Sequence, residues 1–306
     1  MTDERTAANA GAAPDSRRAT VGALTQVGTE VSINLGSSLA GVVIPVVGSF
    51  VVVAVRQVVM AIVVLPLYRP KRAELTWVRL WPAPALGVVL AVMNLAFYES
   101  VHLLGLGVAA TIEFLGPLLL ALTTSRRLLD VICVLAAGVG VVLLTGLDGT
   151  INAWGVVLAL TAAASWAAYI LLTRRVALRL PGLEGLTVAS IVSLVLLLPP
   201  ALLTLDISVI DWRVLGLLIA IGVLSSALPY SLDTFILRRI PARVYAIITS
   251  FGPVIAAIFG WLILSEQFTL VQVFAIALVC GAAGTALATQ RDSPSSDLEM
   301  TAEGQH

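Results

Sequence analysis

Four ionisable side chains, Glu30, Arg56, Glu113 and Asp233, each stand inside a long apolar run of the chain. A charged group surrounded by apolar sequence costs a few kcal/mol or more unless it is paired or hydrated, so each needs a partner or a task. A carboxyl in such a place can carry a proton or receive an ammonium. A guanidinium can receive a carboxylate or hold one of the acids ionised. Polar neighbours recur at helical spacing: Glu30 with Asn34, and Asn94 with Tyr98, are four apart and share a helix face. Tyr230 and Asp233 follow Pro229, and Tyr169 follows Trp166. Such groups either line a common cavity or bond one helix to the next. Glu113 stands four residues before Pro117, whose missing N–H releases a carbonyl near position 113 and leaves a local backbone acceptor. Two readings of Glu113 stay open. It works on a proton or a substrate, or it braces Arg56 as an internal ion pair, and one residue can serve both.

The other reactive residue types point elsewhere. Cys133 and Cys280 stand alone in apolar runs, the place of packing residues, and no disulfide or metal-ligand spacing exists. His102 and His306 have no ligand or triad partner near them, and Glu99 falls toward a span end. No metal and no cofactor is expected. A Gly-x-x-x-x-Gly-Lys-Ser/Thr loop is absent, so ATP is not expected as an energy source.

The elements that must position these groups follow from composition. Of 306 residues, 59% are hydrophobic and 12% charged, about half the charge of a soluble domain. Most of the chain therefore meets lipid. Net charge is zero, which leaves no basic face for nucleic acid. Residues 1–21 and 290–306 read as polar, disordered tails on the cytoplasmic side. Small residues in the first tail precede the apolar region, the wrong order for a cleaved signal peptide, so the first apolar segment is expected to stay. A crossing needs about 20 apolar residues. Candidates lie near 22–44, 49–68, 81–99, 104–123 and 128–146, then near 153–173, 185–205, 212–237, 241–264 and 267–288.

Basic residues orient these ten segments. Arg5, Arg17 and Arg18 precede the first, and Arg69, Lys71, Arg72 and Arg79 follow the second. Arg126 and Arg127 follow the fourth; Arg174, Arg175 and Arg179 the sixth; Arg238, Arg239 and Arg243 the eighth; Arg291 the last. Only Arg213 borders the other face, and Arg56 lies within a span. Cytoplasmic connections collect Lys and Arg, which places both termini in the cytoplasm.

Ten spans divide into two sets of five, and an odd unit duplicated in tandem enters the membrane in opposite senses. Phe114-Leu115-Gly116-Pro117 in span four resembles Phe251-Gly252-Pro253 in span nine. Aligned on the prolines, Asn94 falls opposite Pro229, Tyr98 opposite Asp233 and Glu113 opposite Thr249. The expected fold is an all-α membrane protein of ten transmembrane helices arranged as two inverted five-helix repeats, 22–146 and 153–288. Inverted repeats with interrupted helices and a midplane cavity mark transporters. The small-residue run Gly281-Ala282-Ala283-Gly284-Thr285 permits close helix approach within the bundle, or against a second copy in a homodimer.

Met93-Asn94-Leu95-Ala96-Phe97-Tyr98, Glu113-Phe114-Leu115-Gly116-Pro117 and Ser125-Arg126-Arg127 resemble the first half of the threonine/homoserine exporters. That branch belongs to the drug/metabolite transporter superfamily, whose repeat is the EamA-type domain. Ser225-Ser226-Ala227-Leu228-Pro229-Tyr230-Ser231-Leu232, followed by Asp233, is similar to the exporters' span eight, and Ser165-Trp166-Ala167-Ala168-Tyr169-Ile170-Leu171 to their span six. Arg56 and Ser265-Glu266 also match the branch. The resemblance covers most of residues 25–288. It departs at Thr249-Ser250-Phe251-Gly252-Pro253, where the exporters tend to have an acid before the proline, and at Glu30, which looks unusual.

The resemblance implies efflux of small amino acids such as threonine or homoserine, exchanged for protons across the inner membrane, by alternating access between the repeats. Glu113 would carry the proton and contact the substrate ammonium. Arg56 would hold Glu113 ionised or take the substrate carboxylate, with Asn94, Tyr98, Tyr169, Tyr230 and Asp233 completing the cavity. Its partners would then be a small-molecule substrate, protons and the lipid bilayer. Transport of a vitamin, sugar or drug in either direction is the alternative, since cavity chemistry does not fix direction. A non-transporting scaffold would need neither buried ionisable groups nor a repeat. An intramembrane enzyme would need paired acids on facing helices or a zinc motif, and neither is present.

Overall fold

The computed structural model describes residues 16–67, 81–124, 128–146, 152–180, 184–229, 232, 236, 239–240 and 242–289. Tyr230 and Asp233 lie outside the described residues, as do both outermost tails.

Helices α1 (Ser16–Val47), α2 (Ser49–Leu67) and α3 (Pro82–Leu104) form spans one to three. Span four is two half-helices, α4 (Leu106–Glu113) and α5 (Leu115–Thr124), and span five is α6 (Leu128–Thr145). Spans six and seven are α7 (Ala153–Ala177) and α8 (Glu184–Thr204). Span eight begins as α9 (Trp212–Gly222) and continues through a π-helical turn, Val223–Ala227. Span nine is again split, into α10 (Ala242–Thr249) and α11 (Gly252–Leu264), and α12 (Leu270–Thr289) closes the bundle. The helix ends fall within a few residues of the hydropathy reading, with α1 beginning at Ser16 rather than 22 and running past Pro45 to Val47.

Ten crossings bring the chain back to the face it left. Five continuous stretches are by themselves long and apolar enough to cross a bilayer; the rest are apolar helices of 10–17 residues, shortened by breaks or by undescribed neighbours. The outward surface suits lipid: Leu203, Leu270 and Trp212 are each more than four-fifths exposed, which water would not tolerate in such number.

The two sets of five correspond closely where the helices break. Aligned on Pro117 and Pro253, α4 falls on α10 residue for residue, each ending at the position before its turn. Proline supplies no N–H to the preceding turn, so both helices stop there. Gly116 sits at one break because a Cβ would run into the Ala163 carbonyl of α7.

Connections at the end of the bundle away from the termini, here the far end, are short. Gly48, Gly105 and Gly146 take positive φ there (82°, 85° and 67°), and at Gly48 and Gly105 this lets consecutive helices reverse across a single residue. Spans four, six, eight and ten, which begin at this end, are capped by side chains that accept from N–H groups without an intrahelical partner. Asn152 accepts from Trp154 and Gly155 at the start of α7, and Asp211 from Val214 in α9. Thr269 and Gln272 cap one another's N–H reciprocally at α12. The cap of α4 comes from another span: Glu266, in the connection between spans nine and ten, accepts from Leu106 N–H and Gly107 N–H.

Packing is organised around α3, which lies against α2, α7 and α8. α6 packs on α12 through Ala137, Val279, Ala283 and Ala286, so the small-residue run beginning at Gly281 serves a contact inside the bundle. At the far end, α3, α4 and α11 meet in a cluster of Phe97, Val101, Leu106, Ala109, Ala256, Phe259 and Leu264.

Candidate functional site

A cavity of about 240 Å³ lies at mid-depth where spans one, two, three, four, six, eight and nine converge. Its volume is below the range of drug-sized pockets and suits a small molecule. Glu30, Asn34, Arg56, Asn94, Tyr98, Glu113 and Tyr169 all line it. Ser37, Trp166, Ser225, Pro229, Tyr245, Thr249 and Gly252 complete the polar and hinge positions of the wall. Phe97, a member of the far-end cluster, also lines it.

Arg56 is the best-anchored group in the cavity. Its Nη1 donates to Asn94 Oδ1 (2.8 Å), its Nη2 to the Ser225 carbonyl (2.9 Å) and its Nε to Ser226 Oγ (3.1 Å). The guanidinium also stands 4.9 Å from the centroid of the Tyr98 ring, within cation–π range. Each anchor has a local cause. Asn94 donates back to the Leu90 carbonyl (2.8 Å), which turns its oxygen toward Arg56. The Ser225 carbonyl is available because Pro229, four residues on, has no N–H to offer it. The chain widens into a π turn there, a distortion that recurs at functional sites. Ser32 uses the same loosened turn, donating to the Leu224 carbonyl (2.8 Å). Tyr98 is fully buried, with its hydroxyl 3.3 Å from Ser37 Oγ.

Glu113 ends α4, at the break that Pro117 imposes. Its carboxylate makes no hydrogen bond among the described residues, and the Arg56 bonds all go elsewhere. No hydrogen bond joins the two in this conformation. Glu30 lies across the cavity on α1. Its Oε1 accepts from Gln26 Nε2 (3.1 Å), and the Asn34 side chain donates to its backbone carbonyl (2.9 Å). Among the described residues the arrangement puts one cation and two carboxylates around a single small space.

Comparison with known proteins gives this geometry a family. Residues 153–289 match the EamA-like transporter family. The threonine/homoserine exporter RhtA of Escherichia coli (strain K12) is 33% identical over 273 residues, spanning 88% of this chain and 92% of its own. The protein of the same name from Salmonella typhimurium (strain LT2) is 34% identical over 265 residues, 85% and 90% of the two chains. The chain belongs to the EamA-like transporter family. Its likeness is to the threonine/homoserine exporter branch of that family. A crystal structure covering 89% of this chain and 96% of its own superposes with a TM-score of 0.58 at 19% identity, a likeness of fold.

Several residues that line this EamA cavity or bond to its lining escaped the sequence reading as contacts. Ser225 and Ser226 entered it only as part of the stretch that resembles span eight of the exporters, yet the proline's missing N–H was the signal that a carbonyl four residues earlier would be released. Gln26 stands four residues before Glu30, the same helical spacing that drew Asn34 into the reading. Tyr245 carried no signal, being one aromatic in an apolar helix. Glu99, though on α3, does not line the cavity. Among the described residues no cluster of His, Cys, Asp or Glu could hold a metal ion, and Cys133 and Cys280 are buried free thiols.

Proposed function

We propose that this EamA-family protein is a secondary active exporter of small amino acids of the threonine/homoserine type or related metabolites, working by proton antiport. It acts in the inner membrane with both termini in the cytoplasm, the orientation that its Arg- and Lys-rich connections favour. The observation that carries the reading is the meeting of Arg56, Glu113 and Glu30 in one cavity of a chain similar to named threonine/homoserine exporters. A substrate carboxylate is met by Arg56, held with its planar fork presented, and Glu113 at the helix break carries the proton. The first five spans, 22–146, act as the same kind of repeat as the matched second five. Transport then alternates the two repeats about the cavity, the far-end cluster being the seal on one side. Asp233 and Tyr230, which follow Pro229 in the sequence, are proposed to serve the same substrate.

Everted vesicles from a strain stripped of its own amino-acid exporters, acidified inside, test this directly. Uptake of labelled threonine or homoserine is expected, abolished by a protonophore and lowered at least about tenfold by Glu113→Gln at normal expression. Vesicles that contain the folded protein and take up no amino acid would refute the substrate class and turn the search to another small metabolite.

A further inference from the structure

Many serines and threonines inside these spans satisfy themselves. The hydroxyl of Thr29 donates to the Thr25 carbonyl, and those of Ser38, Ser100, Thr111 and Ser250 likewise reach carbonyls three or four residues earlier on their own helices. Ser225 departs from this habit. It is 4% exposed, and its Oγ has no hydrogen-bond partner among the described residues. Four other buried side-chain atoms share that condition, on Gln26, Ser49, Thr173 and Ser193, and none of those residues lines the cavity. Ser225 does. A buried polar atom left alone costs stability, so a hydroxyl kept in that state at a cavity wall calls for a partner from outside the chain.

The surroundings decide what that partner is. The Ser225 carbonyl holds Arg56 Nη2 at 2.9 Å, and the hydroxyl, a few covalent bonds away on the same residue, shares the neighbourhood of the guanidinium. Arg56 carries five N–H donors. Three are committed among the described residues, to Asn94, Ser225 and Ser226, which leaves one on each terminal nitrogen. A guanidinium repels an ammonium and draws an anion, toward which an O–H can only donate. Two N–H donors and one O–H suit the two oxygens of a carboxylate, each able to accept twice. Glycine at position 36 of α1 gives the hydroxyl its room, since a Cβ there would run into Ser225 Oγ. On either side of Gly36, Ile33 and Ser37 of the same helix line the cavity.

We propose that the Ser225 hydroxyl is a specificity-determining donor to a carboxylate on the transported molecule, acting beside the two uncommitted N–H groups of Arg56. This rests on the exporter reading above and refines it: the anionic end is held by a charge from span two and a hydroxyl from span eight. A carboxamide in the carboxylate's place sets its own N–H groups against these donors and is rejected on that account.

The test uses the full-length protein in proteoliposomes, where substrate counterflow needs no net proton movement, together with ligand-induced thermal stabilisation. The probes are L-threonine, L-threoninamide, which keeps the amine and has a neutral amide for the carboxylate, and 2,3-dihydroxybutanoate, which keeps the carboxylate and lacks the amine. Ser225→Ala is expected to weaken both acids by about tenfold or more, as for loss of a hydrogen bond to a charged group, and to leave the amide unchanged. The melting temperature of the ligand-free variant should stay the same or rise. Ser226→Ala, which removes a hydroxyl already bonded to Arg56, should lower it, so the two neighbouring serines separate a hydroxyl kept for a ligand from one kept for the fold. A lower melting temperature for ligand-free Ser225→Ala, equal weakening of acids and amide, or unchanged affinity for the acids overturns the proposal. So does failure of the unaltered protein to prefer threonine over its amide. Should Ser225→Ala fail to give a monodisperse protein, Ser225→Cys, whose thiol is a weak donor, is to weaken the acids alone by severalfold, and unchanged acid affinity there is equally fatal. Ser225-dependent binding of 2,3-dihydroxybutanoate without any of threonine upholds the carboxylate subsite while refuting the amino-acid reading. Threonine binding indifferent to Ser225 refutes the subsite and leaves that reading standing.

Discussion

At the scale of single residues, Arg56 is held by geometry that lysine has no means to reproduce. Three of its nitrogens are bound in different directions, to Asn94, Ser225 and Ser226, over the Tyr98 ring. An ammonium is a point donor and fits one or two of these at a time. Arg56→Lys is therefore expected to keep the charge, yet lower counterflow about tenfold or more, since each charge-assisted bond lost is worth about 1.5–3 kcal/mol. Tyr98→Phe is the matched control. It keeps the ring beneath the guanidinium and removes one hydroxyl contact of 3.3 Å, so transport should stay within about threefold, given the modest worth of a neutral bond. A Lys variant with unaltered kinetics would mean that charge alone, without the fork, serves the cavity. Arg56 was legible in the sequence as an ionisable group in an apolar run. Its hydrogen-bond partners were not, because Ser225 and Ser226 meet it only through the crossing of α2 with span eight and Asn94 only through that of α2 with α3.

At the scale of elements, the unusual device is a helix capped by a residue from a different span. Glu266 accepts from two N–H groups at the start of α4, while Gly105 and Gly260 leave room for its side chain, which a Cβ at either would touch. A cap of this kind stabilises by about 1 kcal/mol. Glu266 lies in a connection outside the spans. Burial lifts its carboxyl above the ordinary value of 4.5, and the two N–H bonds offset only part of that rise. An acid whose value is raised in the packed state adds stability that is complete below the ordinary value and lost as pH climbs through the raised one. The far-end packing of α4 against α11 is thus firmer in acid. Hydrogen exchange of residues 103–110, corrected for the intrinsic rate, should show opening that becomes easier as pH rises above about 4.5. Glu266→Gln should remove that dependence, and an identical pH profile in the variant would exclude Glu266 as its source. The Ser265-Glu266 pair was visible in the sequence as part of a resemblance. Its role as a cap was not, since N-cap signals are sought next to the helix they serve, and here roughly 160 residues intervene.

At the scale of the whole molecule, ten crossings and their pairing into two sets were readable because hydropathy, the alternation of basic connections and two Gly-Pro breaks agree. What sequence left open was which spans share the cavity. Spans five and ten, as apolar as the rest, pack on each other and contribute no cavity residue, while α1 reaches across to the break in span nine. The far-end cluster of Phe97, Leu106, Phe259 and Leu264, proposed above as one seal, was likewise invisible, since its members look like any lipid-facing residue. Alternating access, on that proposal, requires it to part. With Cys133 and Cys280 replaced by Ala, Leu264→Cys should be labelled slowly by an impermeant thiol reagent from the far side. A substrate and proton gradient that drives turnover should speed labelling severalfold, and Glu113→Gln should cancel the increase. Labelling that ignores turnover would place the moving barrier elsewhere.

A perfect inverted duplication would make the two open conformations equivalent by a twofold rotation, with equal free energy, so an empty carrier would spend half its time open to each side. This chain breaks that degeneracy in its covalent structure. The acid Glu113 at the end of α4 has Thr249 as its counterpart at the end of α10, and the cap at the start of α4 is supplied by Glu266 of the second repeat. The two halves therefore differ in charge at their breaks. In a carrier of this kind ion gradients set how far solute is accumulated; an asymmetry between the halves sets which side it waits on between cycles.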